Sequence, residues 1–127
     1  MPGHSFKKGE RLSSRKAITS LFQSGKVLVS HPVRIIYQLT EEGNYPAVMA
    51  VSVPKRIFRR AVDRNLLKRR IREIYRLYKP QFYSRLEQTG IKIQLVIQYQ
   101  QTGIEAFDLL EKGLRKGLEK VAADLTG

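Results

Sequence analysis

The stretch Ala61-Val62-Asp63-Arg64-Asn65-Leu66-Leu67-Lys68-Arg69-Arg70-Ile71-Arg72-Glu73-Ile74-Tyr75-Arg76 decides how the rest of the chain is read. At about 100° per residue, Leu67, Ile71, Ile74 and Tyr78 gather on an arc of roughly 60°, narrow enough to pack on a sheet. Arg64, Asn65, Lys68, Arg69, Arg72, Arg76 and Lys79 gather on a separate arc of roughly 140°. Tyr75 falls close beside that basic arc, and Arg70 flanks the apolar one. The pattern predicts a helix over residues 63–79, with Asp63 as its N-terminal cap and Pro80 as its stop. Like charges at i and i+4 weaken a helix by a few tenths of a kcal/mol (~0.3) per pair, so the ridge does not serve helix stability, and an external polyanion relieves it. Arginine offers a planar fork that grips phosphate oxygens in pairs, and Asn65 both donates and accepts.

Working outward, residues 47–53 read as a strand closed by Pro54, followed by a basic loop over residues 55–60. Before it, residues 41–45 form a turn built on Gly43-Asn44. Residues 26–39 are rich in Val, Ile and Tyr but are broken by His31-Pro32, which predicts a short edge strand leading into a second strand. In that second strand Val33, Ile35, Tyr37 and Leu39 point one way, while Arg34, Ile36 and Gln38 point the other. Ile18, Leu21 and Phe22 mark a helix over residues 13–24, capped by Ser13 or Ser14 and ended at Gly25. Residues 1–11 are a basic lead-in expected to be extended and flexible. On the C-terminal side, residues 92–99 form a last strand. Beyond Gly103, a long helix carries Phe107, Leu110, Leu114, Leu118, Val121 and Leu125 on one stripe. The order αβββαβα predicts an α/β sandwich, one domain over residues 1–127, with helices on a four-stranded mixed sheet.

Composition agrees with one core, since 127 residues at 42% hydrophobic content cannot close two ordinary domains. Twenty-four Lys and Arg against 11 Asp and Glu leave a formal charge of +13, more than solubility requires. Nucleic acid is the favoured polyanion, with a solvated basic surface and an anionic membrane as the alternatives. No Cys is present, which excludes disulfides and thiolate sites. Neither an N-terminal apolar segment nor a run of about 20 apolar residues occurs, so a cytoplasmic location without membrane spanning is expected. Clustered carboxylates are missing, His4 and His31 have no partner at metal spacing, and no phosphate-binding glycine motif exists. Autonomous protein catalysis is therefore not expected.

The same basic stretch carries a family resemblance. Arg64-Asn65, Lys68-Arg69 and Arg72-Glu73 resemble the RNR helix of the bacterial ribonuclease P protein family. Val51-Ser52-Val53-Pro54-Lys55-Arg56 is similar to that family's strand ending in a basic pair, and Phe6 with Lys8 and Arg11-Leu12 resembles its start. Leu21-Phe22 is similar to its first helix. This chain departs from the pattern at Leu66, where a second arginine often stands, in the glycine-free loop Ile57-Phe58-Arg59-Arg60, and at Ile18, where many relatives have an aromatic.

The resemblance implies a left-handed βαβ crossover through the RNR helix and a ribonucleoprotein in which RNA and Mg²⁺ carry hydrolysis. It implies the ribonuclease P RNA and precursor tRNA as partners, with no DNA. By the same resemblance Arg64, Asn65, Lys68, Arg69, Arg72, Arg76, Lys55 and Arg56 face the catalytic RNA. A cleft of Phe22, Ile18, Ile36 and Arg34, with Lys8 and Arg11, takes the single-stranded 5′ leader. For Phe22 a purely core role fits the residues almost as well. A ribosomal or RNA-assembly factor, a helix-in-groove DNA binder and an autonomous nuclease are the competing readings.

Overall fold

In the computed structural model, residues 6–126 are described, so His4 and the first part of the lead-in lie outside the described residues. Helix α1 spans Arg15–Ser24, and Ser14 caps it by accepting from the Ala17 N–H at 3.2 Å. Strands β1 (Lys26–Ser30), β2 (Val33–Leu39) and β3 (Ala47–Ser52) follow, then helix α2 (Ala61–Thr89), strand β4 (Ile93–Tyr99) and helix α3 (Phe107–Thr126). The sheet order is β1-β2-β4-β3. β1 and β2 are antiparallel, as are β2 and β4, while β3 and β4 run parallel with α2 as their crossover. The expected mixed sheet and element order are both present.

Two apolar clusters lie on opposite sheet faces. Val33, Ile35 and Tyr37 of β2 pack with Leu67, Ile71 and Ile74 of α2 and Leu110, Leu114 and Leu118 of α3. Ile36 and Val96 instead face α1, where Leu21 and Leu12 cover them. The alternation in β2 therefore distributes its side chains between two helical layers. Leu39, at the strand's end, is exposed.

Three expectations for the basic helix need correction. α2 begins at Ala61, with Arg60 at its N-cap and Asp63 inside its first turn, so Asp63 acts on the helix dipole rather than as the cap. Nor does Pro80 stop it, since the helix continues to Thr89 and ends at Gly90, whose left-handed φ of 69° suits glycine. The apolar stripe resumes beyond the proline, and Phe82 and Leu86 are fully buried. Burying two such side chains contributes roughly 3–6 kcal/mol, enough to offset the ~3 kcal/mol cost of an interior proline. Third, Lys79 is not on the solvent-facing ridge. It is 4% exposed and paired with Glu10 at 2.8 Å.

That ion pair fastens the lead-in. Lys8–Glu10 form one 3-10 turn, Arg11 bridges to Met49 in parallel, and Leu12 N–H donates to the Met49 carbonyl at 3.0 Å. Residues 10–12 thus run along the outer edge of β3.

Candidate nucleic-acid interface

The first half of α2 carries the ridge on its outward side. Asn65, Arg69 and Arg72 are exposed, while Arg64, Lys68 and Arg76 are half-buried. Asn65, Arg69, Arg72 and Arg76 line one shallow concavity together with Glu73, Arg11 and Phe6. Phe6 packs edge-on against buried Tyr75 with ring centroids 5.8 Å apart, and the Arg11 guanidinium lies 5.4 Å from the Phe6 ring centre. Tyr75 is therefore a core support for this surface, and burial pushes its phenol pKa up. Arg76 makes two hydrogen bonds to Glu73, at 3.2 and 2.7 Å, which pull the Glu73 carboxyl below its usual range. One carboxylate sits inside a field of guanidinium groups, and the remaining cations there set the sign of the surface.

Arg64 has a different task from its neighbours. One of its terminal nitrogens donates to the carbonyls of Phe58 and Arg59, at 2.7 and 2.9 Å. Phe58 is buried against Tyr99, with centroids 5.7 Å apart, so the glycine-free loop is anchored at Phe58 and Arg59. Lys55 and Arg56 stand exposed on this loop, just past Ser52 and Pro54.

A second surface lies on the α1 face. In the row Val27, Ile36, Val96 and Ala50, helix α1 covers Ile36 and Val96 and leaves Val27 exposed, with Ile36 only 1% exposed beneath it. Ser20 and Phe22 sit about 100° to either side of inward-facing Leu21. Ser20 Oγ donates to Gln38 Oε1 at 3.3 Å, and Phe22 lies on the other side of Leu21. Phe22 is 44% exposed, and Ile18 is half-buried on the same helix. Ile36 is thus core beneath α1 rather than an open surface, while Phe22 is exposed and Ile18 and Arg34 are half-buried. Arg11 lines the α2 concavity, and Lys8 is exposed on the lead-in.

Three contributors were invisible in the sequence. Phe6 entered only as a family-like residue, and its ring is a wall of the α2 concavity. Gln98 and Ser52 stand in line beside Arg34 across the sheet, a placement that depends on strand order and register. Among the described residues, no group of three or more His, Asp or Glu could hold a metal ion, and no helix is long and apolar enough to cross a membrane.

A family model described as Ribonuclease P matches residues 6–122. The chain belongs to the ribonuclease P protein family. A ribonuclease P protein component of Porphyromonas gingivalis is 34% identical over 125 residues, covering 98% of this chain and 91% of that protein. One from Chlorobium phaeobacteroides is 31% identical over 129 residues, covering 93% and 88%. A mutant RNase P protein of Staphylococcus aureus shares the fold at a TM-score of 0.71 and 17% identity, with 90% of this chain and 89% of that one covered. The match runs through the lead-in, both surfaces and most of α3, so the family pattern is carried by the whole described fold. In this ribonuclease P family member, the basic helix α2 and helix α1 pack on opposite faces of the sheet.

Proposed function

We propose that this chain is the protein subunit of a ribonuclease P ribonucleoprotein, which removes the 5′ leader of precursor tRNA in the cytoplasm. The observation that carries the reading is the α2 concavity, where Arg69, Arg72, Arg76 and Asn65 converge with Arg11 and Phe6 in a chain of this family. Arginine forks bind phosphate oxygens in pairs, and each phosphate neutralised releases counterions, so such a surface suits a folded RNA. Its partner in this reading is the catalytic RNA, with Lys68, Arg64, Lys55 and Arg56 extending the contact. The α1 cleft takes the single-stranded leader, whose bases stack on sequence-tolerant apolar walls such as Phe22 at about 1–3 kcal/mol per base.

Hydrolysis in this scheme belongs to the RNA and its Mg²⁺ ions. Among the described residues of this chain, no group of three or more His, Asp or Glu could hold such an ion. The protein's contribution is to reduce repulsion between two polyanions and to hold a leader that RNA alone grips poorly. Reconstitution tests this directly. With a bacterial ribonuclease P RNA at low Mg²⁺, the protein should restore leader removal from a precursor tRNA. Failure with several such RNAs would favour a general RNA-assembly factor, and cleavage without any RNA subunit would identify an autonomous nuclease.

A further inference from the structure

Val29, Arg34, Gln98 and Ser52 stand directly opposite one another across all four strands, one row beyond the residues that α1 covers. Arg34 Nε donates to Gln98 Oε1 at 2.6 Å, and Gln98 Nε2 donates to Ser52 Oγ at 3.1 Å. This relay fixes the glutamine amide one way round. Reversed, its NH₂ would face the arginine donor and its oxygen would lose the guanidinium. Nε is the only part of the Arg34 fork hydrogen-bonded among the described residues, so the two terminal amino groups, the edge that grips paired phosphate oxygens, stay available. All three polar side chains are half-buried, which restricts their rotamers and lowers the local dielectric around the cation. Apolar surface adjoins them, with Val29 62% exposed beside Arg34.

We infer that Gln98 and Ser52 are positioning residues that hold the Arg34 guanidinium for one backbone phosphate of single-stranded RNA lying across the open end of the sheet. The inference rests on the leader-cleft reading above and deepens it, by naming the group recognised and the residues that orient its receptor. An arginine held at Nε by the sheet loses less rotamer freedom on binding than one free in solvent, so affinity comes from preorganisation as well as charge. Specificity for base identity is not expected, because the row offers a phosphate clamp between apolar surfaces.

The test uses the full protein assembled with a bacterial ribonuclease P RNA, and measures affinity for precursor tRNA with a leader and for mature tRNA. Arg34→Met should lower precursor affinity about tenfold, as expected for one lost charge-assisted hydrogen-bonded contact, with mature tRNA affinity unchanged. Gln98→Met, which keeps the shape and Arg34's charge, should lose a large part of the same factor. The double variant should lose no more than Arg34→Met alone. Replacing leader phosphates one at a time by neutral methylphosphonates should find one position that weakens wild type and leaves Arg34→Met unaffected. Arg34→Lys should restore salt dependence but not the full affinity.

Additive losses for Arg34→Met and Gln98→Met, or an equal methylphosphonate penalty in wild type and Arg34→Met at every position, would overturn the relay. A wild-type protein that gives no preference for leader-bearing tRNA would instead overturn the cleft reading on which it rests.

Discussion

The Lys79 ammonium lies 2.8 Å from a Glu10 carboxylate oxygen, with the two residues 4% and 1% exposed. Tyr83 donates to the same carboxylate at 2.5 Å and the Lys7 N–H at 2.9 Å, so Glu10 is satisfied by three partners. This pair ties the lead-in to the middle of α2 and thereby sets Phe6 and Arg11 against the ridge. A buried ion is costly alone, so the pair's first effect is on geometry: neither element can shift without stranding a charge.

Acid should therefore release the lead-in. Burial pushes the Glu10 pKa up, but hydrogen bonds from Lys79, Tyr83 and Lys7 and the Lys79 charge together bring it below the ordinary value of 4.5. A carboxyl depressed on folding contributes stability that is fully present above 4.5 and is lost as the pH falls through its lowered value. Thermal melting from neutral pH down into that range should fall more steeply for wild type than for Glu10→Gln. At neutral pH, Glu10→Ala should cost about 3 kcal/mol by removing the carboxylate that faces the buried Lys79 ammonium. Parallel melting curves of wild type and Glu10→Gln across the acid range would remove Glu10 from this role.

Pro80 should be replaceable with a gain. It has no N–H for the Arg76 carbonyl, yet it stands exposed inside a continuous helix. Alanine is favoured over proline in a helix interior by about 3 kcal/mol, reduced by up to ~1 kcal/mol for the freer unfolded chain. Pro80→Ala is expected to raise stability by about 1–2 kcal/mol in urea titration. A lower stability would mean that the packing of Tyr78 and Phe82 depends on a bend at the proline.

Gly113 should tolerate nothing larger, against its helix propensity. A Cβ there would fall 2.0 Å from the His31 carbonyl oxygen, and Ser30 Oγ donates to the Gly113 carbonyl at 2.7 Å. Backbone meets backbone at this point, so strain cannot be relieved by a rotamer. Gly113→Ala should cost about 2 kcal/mol or more, although alanine gains ~1 kcal/mol by propensity alone. Gly117→Ala should cost less, because its Cβ would meet the movable Ile35 methyl at 2.9 Å. Equal effects at the two positions, measured by chemical denaturation, would contradict this.

Periodicity made the elements legible: Leu67, Ile71 and Ile74 at helical spacing and Val33, Ile35 and Tyr37 in alternation all lie in the core. What periodicity could not weigh was burial against a local breaker, which is why Pro80 reads as a stop. Lys79 falls on the basic arc by angle alone, and only the return of Glu10 to that point withdraws it from solvent. The relay of Ser52, Gln98 and Arg34 joins three strands far apart in sequence, with β4 inserted between β2 and β3. No local pattern in any one strand carries that information. Phe6 gives no periodic signal either, because its place depends on the docked lead-in.

The ridge itself divides into two kinds of arginine, and that division can be measured. Arg64 holds two loop carbonyls, so Arg64→Ala should cost about 1 kcal/mol of stability as well as RNA affinity. Arg72 is exposed in the concavity, so Arg72→Ala should leave melting nearly unchanged. Its loss should appear in RNA binding, where removing one phosphate contact reduces the slope of log affinity against log salt by about 1. Arg69→Ala should behave as Arg72→Ala does. If both leave the salt slope unaltered while Arg64→Ala changes it, RNA is held by the loop of Lys55 and Arg56, and the helix serves only to support that loop.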